Sequence, residues 1–417
     1  MIPSSTPPPE IREEIAASGP THVSTHRIHN FIGKVLQPHM FDNLVAYVNW
    51  RLEINKGNTA AAPPAFGPVS INLDITTACN HYCHHCIDLE LLNNGRRMDL
   101  EHTQILVNKL IENGLKSVIV IGGGEPTVHP QFVEIVAFLK SRDLQVGIVS
   151  NGTRMHQLAK AAPFLQSRDW MRLSLDAATD ENFAVIHNSK SPKKLSEIVC
   201  EVKELRAKWN RFSMGFSFLV LHEEFRGNNT SLRNNIKEIP AAARLARDHD
   251  FTYLSVKPFI SPEPSRITEP EGDYVVAIRE QTALAKQYET ETFKVVESFN
   301  MFALLENQNE RLRIQPKVCH SNFFRMVVTP DGIFSCPVWR GFKMVQLTPH
   351  DQNFSEDYNE YFNKNRIRIL EGLDASKECA KVTCIYNDLN WFIEDLIQNP
   401  EKLKALQLAA DTQDYFL

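Results

Sequence analysis

The sequence predicts an α/β fold: a partial, TIM-like (β/α)6 barrel with an N-terminal helical extension and a small C-terminal domain that contains cysteines. Between residues 69 and 259, short apolar runs alternate with helical patterns, which is the order of repeated βαβ units. A stretch rich in proline and alanine at 60–68 separates this region from the preceding residues, and four of the eight cysteines lie in the last hundred residues. Six parallel strands with right-handed helical crossovers curve into an incomplete barrel.

Each element follows from its own pattern. The apolar runs predict strands at 70–75, 117–121, 145–149, 171–175, 212–220 and 252–257, and the helical patterns predict helices at 99–113, 130–141, 154–160, 192–209 and 230–249. An amphipathic helix is expected at 41–54, and a further helix at 271–288 follows a proline-rich connection at 261–268. The expected domains are an extension at 1–67, a barrel at 68–260, a helical linker at 261–310 and a C-terminal domain at 311–417.

Composition excludes several classes of protein. The chain has 417 residues, a net charge of −5, 43% hydrophobic and 23% charged residues, and no basic block of the kind that binds nucleic acid. No apolar run is long enough to predict a membrane span, and residues 1–10 lack the features of a signal peptide, so we expect a disordered tail there. Eight cysteines without an export signal predict metal ligation in the cytoplasm.

Three cysteines lie close together directly after the first predicted strand, at Cys79, Cys83 and Cys86. Three thiolates on one loop can hold three irons of a [4Fe–4S] cluster and leave the fourth iron open to a small molecule. Zinc is the alternative, because His81, His84 and His85 add nitrogen donors, although structural zinc sites usually use two separated ligand pairs. A disulfide would leave an odd thiol on this short loop.

Polar or flexible segments follow three further predicted strands. They are Gly122-Gly123-Gly124-Glu125-Pro126 after 117–121, Ser150-Asn151-Gly152 after 145–149, and the alternating segment that carries Ser174 and Asp176. Open α/β sheets bind ligands beyond the carboxyl ends of their strands, so these segments are candidates for one binding site. Taken singly, each could also be a turn or the start of a helix.

The four segments, in this order, resemble the radical S-adenosylmethionine (SAM) superfamily. The resemblance implies that Cys79, Cys83 and Cys86 bind a [4Fe–4S] cluster whose open iron is chelated by SAM. It also implies SAM contacts from Gly123, Gly124, Glu125 and Pro126 to the methionine amino group, from Ser150, Asn151 and Gly152 to the ribose and carboxylate, and from Ser174 and Asp176 in the active site. The family commonly has Phe or Tyr before the third cysteine, whereas this chain has His85, which still offers a flat face to the adenine.

The C-terminal cysteines are Cys319, Cys336, Cys379 and Cys384. Two β runs around Asp331-Gly332 predict a hairpin that returns Cys336 towards Cys319, and an amphipathic helix is expected at 387–397. The segment resembles the twitch form of the SPASM domain, which implies a second, fully ligated [4Fe–4S] cluster, although four residues rather than the usual two separate the last pair. A zinc ribbon or four unrelated thiols are the alternatives. Cys200, within a helical pattern, is expected to be a small buried residue.

The resemblance implies an enzyme that reductively cleaves SAM to a 5′-deoxyadenosyl radical, with a reductant of the flavodoxin or ferredoxin type. A second cluster favours a net oxidation, hence an oxidoreductase. Because residues before 68 show no peptide-recognition pattern, the expected substrate is a small polar metabolite such as a sugar or aminocyclitol. A peptide-modifying maturase that cross-links or epimerises is the alternative, and a non-catalytic iron–sulfur sensor or electron carrier is a third. His187, Lys257 and Arg340 are candidate interior contacts without an assigned role.

Overall fold

The computed structural model describes residues 30–83, 85–189, 191–222, 225–227, 230–232, 234–259, 270–355 and 357–417. The tail expected at 1–10 and the connection expected at 261–268 lie outside these ranges. Two compact units are present: one comprises Met1–Ile71, Ile105–Lys116 and Asn309–Leu417, and the other comprises Asn72–Gln104 and Ser117–Gln308. We call them the discontinuous unit and the barrel unit. The domain boundaries expected from the sequence stay predictions.

The barrel unit alternates strands with helices. Its strands are the end of β1 (Ser70–Leu73), β2 (Ser117–Val120), β3 (Gln145–Ser150), β4 (Trp170–Ser174), β5 (Ser213–Val220), β6 (Phe225–Gly227), β7 (Thr230–Leu232), β8 (Tyr253–Pro258) and β9 (Lys294–Glu297). Strands β2, β3, β4, β5, β8 and β9 are neighbours in this order, and every pair is parallel. The N–H of Ile121 donates to the carbonyl of Leu73 (3.1 Å), which places the end of β1 beside β2.

Helices connect these strands. They are α3 (Leu100–Glu112), α4 (Phe132–Ser141), α5 (Met155–Ala161), α6 (Asp180–His187), α7 (Leu195–Lys208), α8 (Ile239–Asp248), α9 (Asp273–Lys286) and α10 (Phe299–Leu305). The residues of α3 from Ile105 onward belong to the discontinuous unit. The strand residues that alternate towards the helices are apolar and fully buried: Met171, Leu173, Met214, Phe216, Phe218, Leu254 and Val256. The opposite face of β4, β5 and β8 is largely polar, and this face is the interior of the partial barrel.

The discontinuous unit combines helices with a three-stranded antiparallel sheet. Its helices are α1 (Phe31–Val35), α2 (Pro38–Asn55), α11 (Asn309–Arg313), α12 (Tyr358–Gly372), α13 (Ala375–Glu378), α14 (Asn387–Gln398) and α15 (Glu401–Ala405), and its strands are β10 (Arg325–Thr329), β11 (Gly332–Phe334) and β12 (Gln346–Pro349). A core of apolar side chains from α1, α2 and α14 surrounds Phe323 and Phe324. The guanidinium of Arg366 lies over the Phe323 ring, 3.2 Å from its centroid, and donates to the carbonyl of Phe66 (2.8 Å).

The predicted fold class and the six predicted strands are confirmed, as are the helices near 41–54 and 387–397 and the hairpin around Asp331. The helix predicted at 230–249 is wrong before residue 239, because β7 pairs with β6 and the side chain of Asn235 bonds to the N–H of Leu221 (2.8 Å) in a turn. Cys200 was expected to be buried, but its side chain is exposed on α7. The helices that the structure describes are all too short or too polar to serve as membrane spans.

Candidate functional site

The cysteine loop begins at the end of β1, and backbone hydrogen bonds fix its base. The N–H of Thr77 donates to the carbonyl of Arg96 (3.0 Å), and the N–H of Asn93 donates to the carbonyl of Thr77 (2.7 Å). The side-chain oxygen of Asn93 then accepts the N–H of Cys79 (3.0 Å). The segment around residues 93–96 therefore positions the first cysteine, a role that no sequence pattern indicated.

The cysteine side chains of this loop lie in a partly buried, polar environment without disulfides. The N–H of His81 approaches the sulfur of Cys79 (3.4 Å), and Nδ1 of His187 lies 3.2 Å from the sulfur of Cys83. Burial raises the pKa of Cys79 to about 11 and raises the pKa of Cys83 well above its ordinary value, to which the charges of Cys86 and Cys79 contribute. These thiols need a positive centre in order to ionise, and bound iron supplies one. In a four-iron cluster each thiolate binds its own iron, so this donor set fits the cluster.

Histidines of the same region offer a different donor set. Ligand atoms of His81, Cys83 and His187 lie within 4.8 Å of one another, and so do those of His85, Asp176 and His187. The pKa of His81 is lowered to about 3 by burial and by the neighbouring histidines, so its imidazole is neutral. Both ring nitrogens of His81 are also buried without a hydrogen-bond partner. A neutral imidazole is a competent zinc ligand, so the zinc alternative raised by the sequence has a geometric counterpart here.

The glycine turn after β2 packs directly against the base of the cysteine loop. The N–H of Gly124 donates to the carbonyl of Thr76 (2.9 Å), and the N–H of Glu125 donates to the carbonyl of Ala78 (2.8 Å). A Cβ on Gly124 would lie 2.2 Å from the Ala78 oxygen, so this position requires glycine. Gly123 is buried, but a Cβ there would meet nothing closer than 3.7 Å, so this position has more space for a side chain than Gly124 has.

The Glu125 carboxylate is buried and joins the segments after β2 and β3. Its Oε1 accepts the N–H of Thr127 (3.0 Å), the Thr127 hydroxyl (2.5 Å) and the Ser150 hydroxyl (2.7 Å), and its Oε2 accepts the N–H of Asn151 (2.7 Å). Burial raises the pKa of Glu125, although these hydrogen bonds oppose the rise. Pro126 begins a short 3-10 turn at Pro126–Val128, which directs the chain away from the site.

Asn80, which the sequence analysis did not single out, connects the cysteine loop to the segment after β3. Its oxygen accepts from the Asn151 amide (2.8 Å), and its own amide donates to the Thr153 hydroxyl (2.7 Å). Gly152 has a φ of 77°, in the left-handed region, and its N–H donates to the Ser150 hydroxyl (3.1 Å). The structure thus brings Cys79, Glu125, Ser150, Asn151 and Gly152 together at one end of the strands.

Asp176 lies beyond the end of β4, where its carboxylate faces two histidines. Its Oδ2 is 3.5 Å from Nε2 of His85 and 3.7 Å from Nε2 of His187, and its Oδ1 accepts the N–H of Leu219 (2.7 Å). Burial alone would raise the pKa of Asp176, but the hydrogen bond from His85 and the histidine charges hold this pKa below its ordinary value. Ser174 precedes it on the inward face of β4. His85 is therefore held by Asp176 with its ring 5.7 Å from that of His187.

The four C-terminal cysteines lie in the discontinuous unit on three segments, because Cys379 and Cys384 form a close pair. The Cys319 sulfur lies 3.4 Å from the Ser321 hydroxyl and 3.8 Å from the Asn390 amide. Burial raises the pKa of Cys319 to about 12, and the charges of Cys336 and Cys379 add to this rise. Burial likewise raises the pKa of Cys384 strongly, with contributions from the other three cysteines. These mutual charge effects indicate that the four thiols lie in one region of the unit, and the second cluster stays a prediction.

Backbone N–H groups accompany these thiols. The N–H groups of Trp339 and Val338 hydrogen-bond to Cys336 and lower its pKa against the effect of burial, and the N–H of Tyr386 does the same for Cys384. Backbone N–H groups directed at sulfur stabilise thiolates and tune iron–sulfur clusters. Four partly buried thiols with such donors are the ligand set that a fully ligated cluster requires. Among the residues that the structure describes, none of these thiols belongs to a group of three donor atoms within 4.8 Å, so the described geometry does not form a compact tetrahedral zinc site.

Comparison with known proteins identifies the domain in which the first site lies. The family profile of the radical SAM superfamily matches residues 73–225. The mycofactocin maturase MftC of Mycobacterium ulcerans is 30% identical over 114 residues, which cover 27% of this chain and 31% of MftC. The GTP 3′,8-cyclase of Chlorobaculum tepidum is 26% identical over 193 residues, which cover 45% of this chain and 54% of the cyclase. The matches thus span between about a third and about half of these curated relatives.

Among solved structures, Streptococcus suis SuiB has a similar fold. The TM-score is 0.52 at 12% identity, and the alignment covers 75% of this chain and 69% of SuiB. At this identity the likeness concerns the fold, and it agrees with the partial barrel of parallel strands.

Proposed function

Because the chain belongs to the radical SAM superfamily, we propose that it is an enzyme that cleaves SAM reductively and removes a hydrogen atom from a substrate C–H bond. The family implies a [4Fe–4S] cluster and SAM, which when bound supply the 5′-deoxyadenosyl radical. Cys79, Cys83 and Cys86 would hold this cluster. The observation that supports the proposal most strongly is the hydrogen bond from Glu125 N–H to the Ala78 carbonyl, because it joins the glycine turn to the residue before Cys79.

The remaining residues of the site have roles that follow from their positions. The backbone of Gly123 and Gly124 would contact the methionine part of SAM, while Glu125 and Pro126 shape the turn. Ser150, Asn151 and Gly152 would contact the ribose and carboxylate. His85, oriented by Asp176, would present its flat ring to the adenine, with Ser174 lining the same cavity.

We assign a second [4Fe–4S] cluster to Cys319, Cys336, Cys379 and Cys384 as part of this proposal. Four protein ligands leave no iron open to substrate, so this cluster would serve in electron transfer. Loss of one hydrogen atom and then of one electron and one proton from the substrate amounts to a dehydrogenation, which makes a net oxidation the favoured outcome. A flavodoxin or ferredoxin would supply the electron for SAM cleavage.

The proposed substrate is a small polar metabolite such as a sugar or aminocyclitol. Between residues 30 and 66 the structure describes helices α1 and α2 and no strand pair, so this part lacks the pattern of a peptide-binding extension. The similarity to the maturase MftC favours a peptide substrate as the second candidate, with cross-linking or epimerisation as the outcome. Mixing the enzyme with candidate precursor peptides or sugars and following substrate-dependent 5′-deoxyadenosine formation distinguishes the two.

The test uses anaerobically reconstituted protein with SAM and dithionite, and 5′-deoxyadenosine is measured. We expect slow formation without substrate, abolished in Cys83→Ala and retained in Cys336→Ala. Cys200→Ala is the matched control, because this thiol is exposed on α7 and belongs to neither set. Absence of 5′-deoxyadenosine from the iron-loaded wild-type protein would contradict the proposal and favour a non-catalytic iron–sulfur protein.

A further inference from the structure

The interior face of the barrel carries side chains in rows that run across β4, β5 and β8. The register pairs Arg172 with Gly215 and Gly215 with Tyr253, so these residues form the first row. Ser174, Ser217 and Ser255 form the second row by the same pairing. Lys257 is paired with Leu219 in the third row, two residues nearer the carboxyl ends of the strands. Successive rows are separated by about 6.6–6.8 Å, the rise of two strand residues.

Two glycines leave space for aromatic rings near the first row: Tyr253 belongs to that row, and Trp170 lies one row nearer the amino ends of the strands. A Cβ on Gly215 would be 2.4 Å from the Tyr253 hydroxyl oxygen, and a Cβ on Gly147 would be 2.3 Å from Cζ2 of Trp170. Both rings therefore lie across the neighbouring strand in the space that a side chain would fill. The guanidinium of Arg172 lies 5.3 Å from the Trp170 ring centroid, within the range of a cation–π contact. Arg172 thus packs against the Trp170 ring and hydrogen-bonds to the side chain of Tyr253.

Small side chains occupy the second row, between the level of Arg172 and the third row. The three serines of the second row leave room above Arg172, and Ser217 and Ser255 are themselves buried. Lys257 faces the same space, and its pKa is lowered well below the ordinary value by burial and by the charge of Arg172, while Asp176 opposes this. The register therefore places two cationic residues in partly buried positions on the same interior face, two rows apart.

Neither cation is neutralised by the protein. Among the described residues, Arg172 and Lys257 form no ion pair. The guanidinium hydrogen-bonds to the side chain of Tyr253, which is a neutral partner, while Nε of Arg172 has no hydrogen-bond partner although it is buried. Asp176 is the carboxylate whose charge raises the pKa of Lys257. Its oxygens, however, face His85, His187 and the N–H of Leu219. Unpaired cations in a partly buried space cost free energy, which a bound anion would offset.

We propose that Arg172 and Lys257 bind an oxyanion of the substrate, a carboxylate or a phosphate, in the interior of the barrel. The fork of the guanidinium suits two oxygens of either group, and the ammonium adds a point charge from the other side. This inference rests on the proposed function, because it narrows the substrate of the same site to an anionic compound. Among small polar metabolites it favours anionic ones, such as sugar phosphates and nucleotides, over the neutral sugars and aminocyclitols named above, and acidic peptides of the second candidate class also meet it.

The test is equilibrium dialysis of the reconstituted enzyme, saturated with SAM, against radiolabelled inorganic phosphate or succinate. Arg172→Gln and Lys257→Gln should each weaken binding about tenfold or more, the effect expected from losing charge-assisted hydrogen bonds. Arg172→Lys, which keeps the charge, should retain binding closer to that of the wild type. Arg142→Gln and Lys160→Gln are the matched controls, since these two residues are exposed on the same unit.

Each outcome has one meaning. Tight phosphate binding that both variants lose supports a phosphorylated substrate, and the same result with succinate alone supports a carboxylate. No anion binding, or equal binding in all variants, overturns the inference. Weakened SAM binding with unchanged anion binding would assign the pair to the SAM carboxylate and also overturns it. Wild-type 5′-deoxyadenosine formation, measured in the same preparation, reports separately on the proposed function.

Discussion

Gly124→Ala is the substitution that most directly tests how the glycine turn supports the cysteine loop. The added Cβ would lie 2.2 Å from the Ala78 oxygen and 2.6 Å from the Thr77 carbonyl carbon, whereas ordinary contacts begin at 3.4 Å. The turn and the stretch 76–78 must therefore move apart by roughly 1.2 Å. Such a movement breaks or lengthens the hydrogen bonds from Gly124 N–H and Glu125 N–H.

The magnitude combines two effects. Overpacking costs about 1–3 kcal/mol, and each weakened backbone hydrogen bond costs about 0.5–1.5 kcal/mol. We expect the free energy of unfolding to fall by about 2–6 kcal/mol in total. Because a misplacement of about 1 Å can reduce catalysis about 100-fold, 5′-deoxyadenosine formation should fall by a similar factor.

The assay is urea unfolding of the apo protein, followed by iron content and 5′-deoxyadenosine formation after reconstitution. Gly123→Ala is the matched control for stability, because its Cβ would meet nothing closer than 3.7 Å. Its free energy of unfolding should stay within about 0.5 kcal/mol of the wild type. An equal unfolding midpoint for the two variants would refute the reasoning from the close approach.

Three further predictions follow from the site. Asp176 has a φ of 52°, which Asn also adopts, so Asp176→Asn removes the charge without backbone strain. This variant should lower 5′-deoxyadenosine formation about tenfold. An unchanged rate would show that other groups position the histidines. Asn80→Ala removes the side-chain hydrogen bonds to Asn151 and Thr153. SAM binding, measured by dialysis, should weaken about tenfold. Equal affinity in the variant and the wild type would show that Asn80 does not support the SAM site. Sulfate binding should weaken as pH rises through the lowered pKa of Lys257, because the ammonium loses its proton while sulfate keeps its charge. The groups that face this ammonium are Arg172, Asp176 and Tyr253, and a flat profile would contradict a role for Lys257.

The strands were predictable because each is an apolar run with a clear boundary. The segment before α8 was not, because the helical pattern of 230–249 extends over residues that instead form β7 and a turn. There the Asn235 amide donates to the carbonyls of Asp176 and Leu219 (2.8 Å each), contacts with residues distant in sequence that no local propensity encodes. Helix α6 was also missed, although Thr179 accepts the N–H of Asn182 (3.2 Å) as its N-cap.

The candidate site was predictable where spacing carries the chemistry, as in the triplet Cys79, Cys83 and Cys86. Positions whose role depends on tertiary contact were not. Asn93 and Asn80 lie in ordinary polar stretches, and their importance follows from hydrogen bonds to Cys79 and Asn151. Arg172 looked like one polar residue of an alternating strand, and only the strand register brings it beside Tyr253 and into the same interior as Lys257.

The central claim, one cluster at each cysteine set, is tested by counting iron and sulfide per chain after anaerobic reconstitution. The wild type should hold about eight irons, and the variant in which Cys79, Cys83 and Cys86 are all replaced by alanine should hold about four. Cys200→Ala should match the wild type. A fall from about four irons to none would remove the second cluster and with it the support for a net oxidation. Zinc in place of iron, held by His81, Cys83 and His187, would contradict the account altogether.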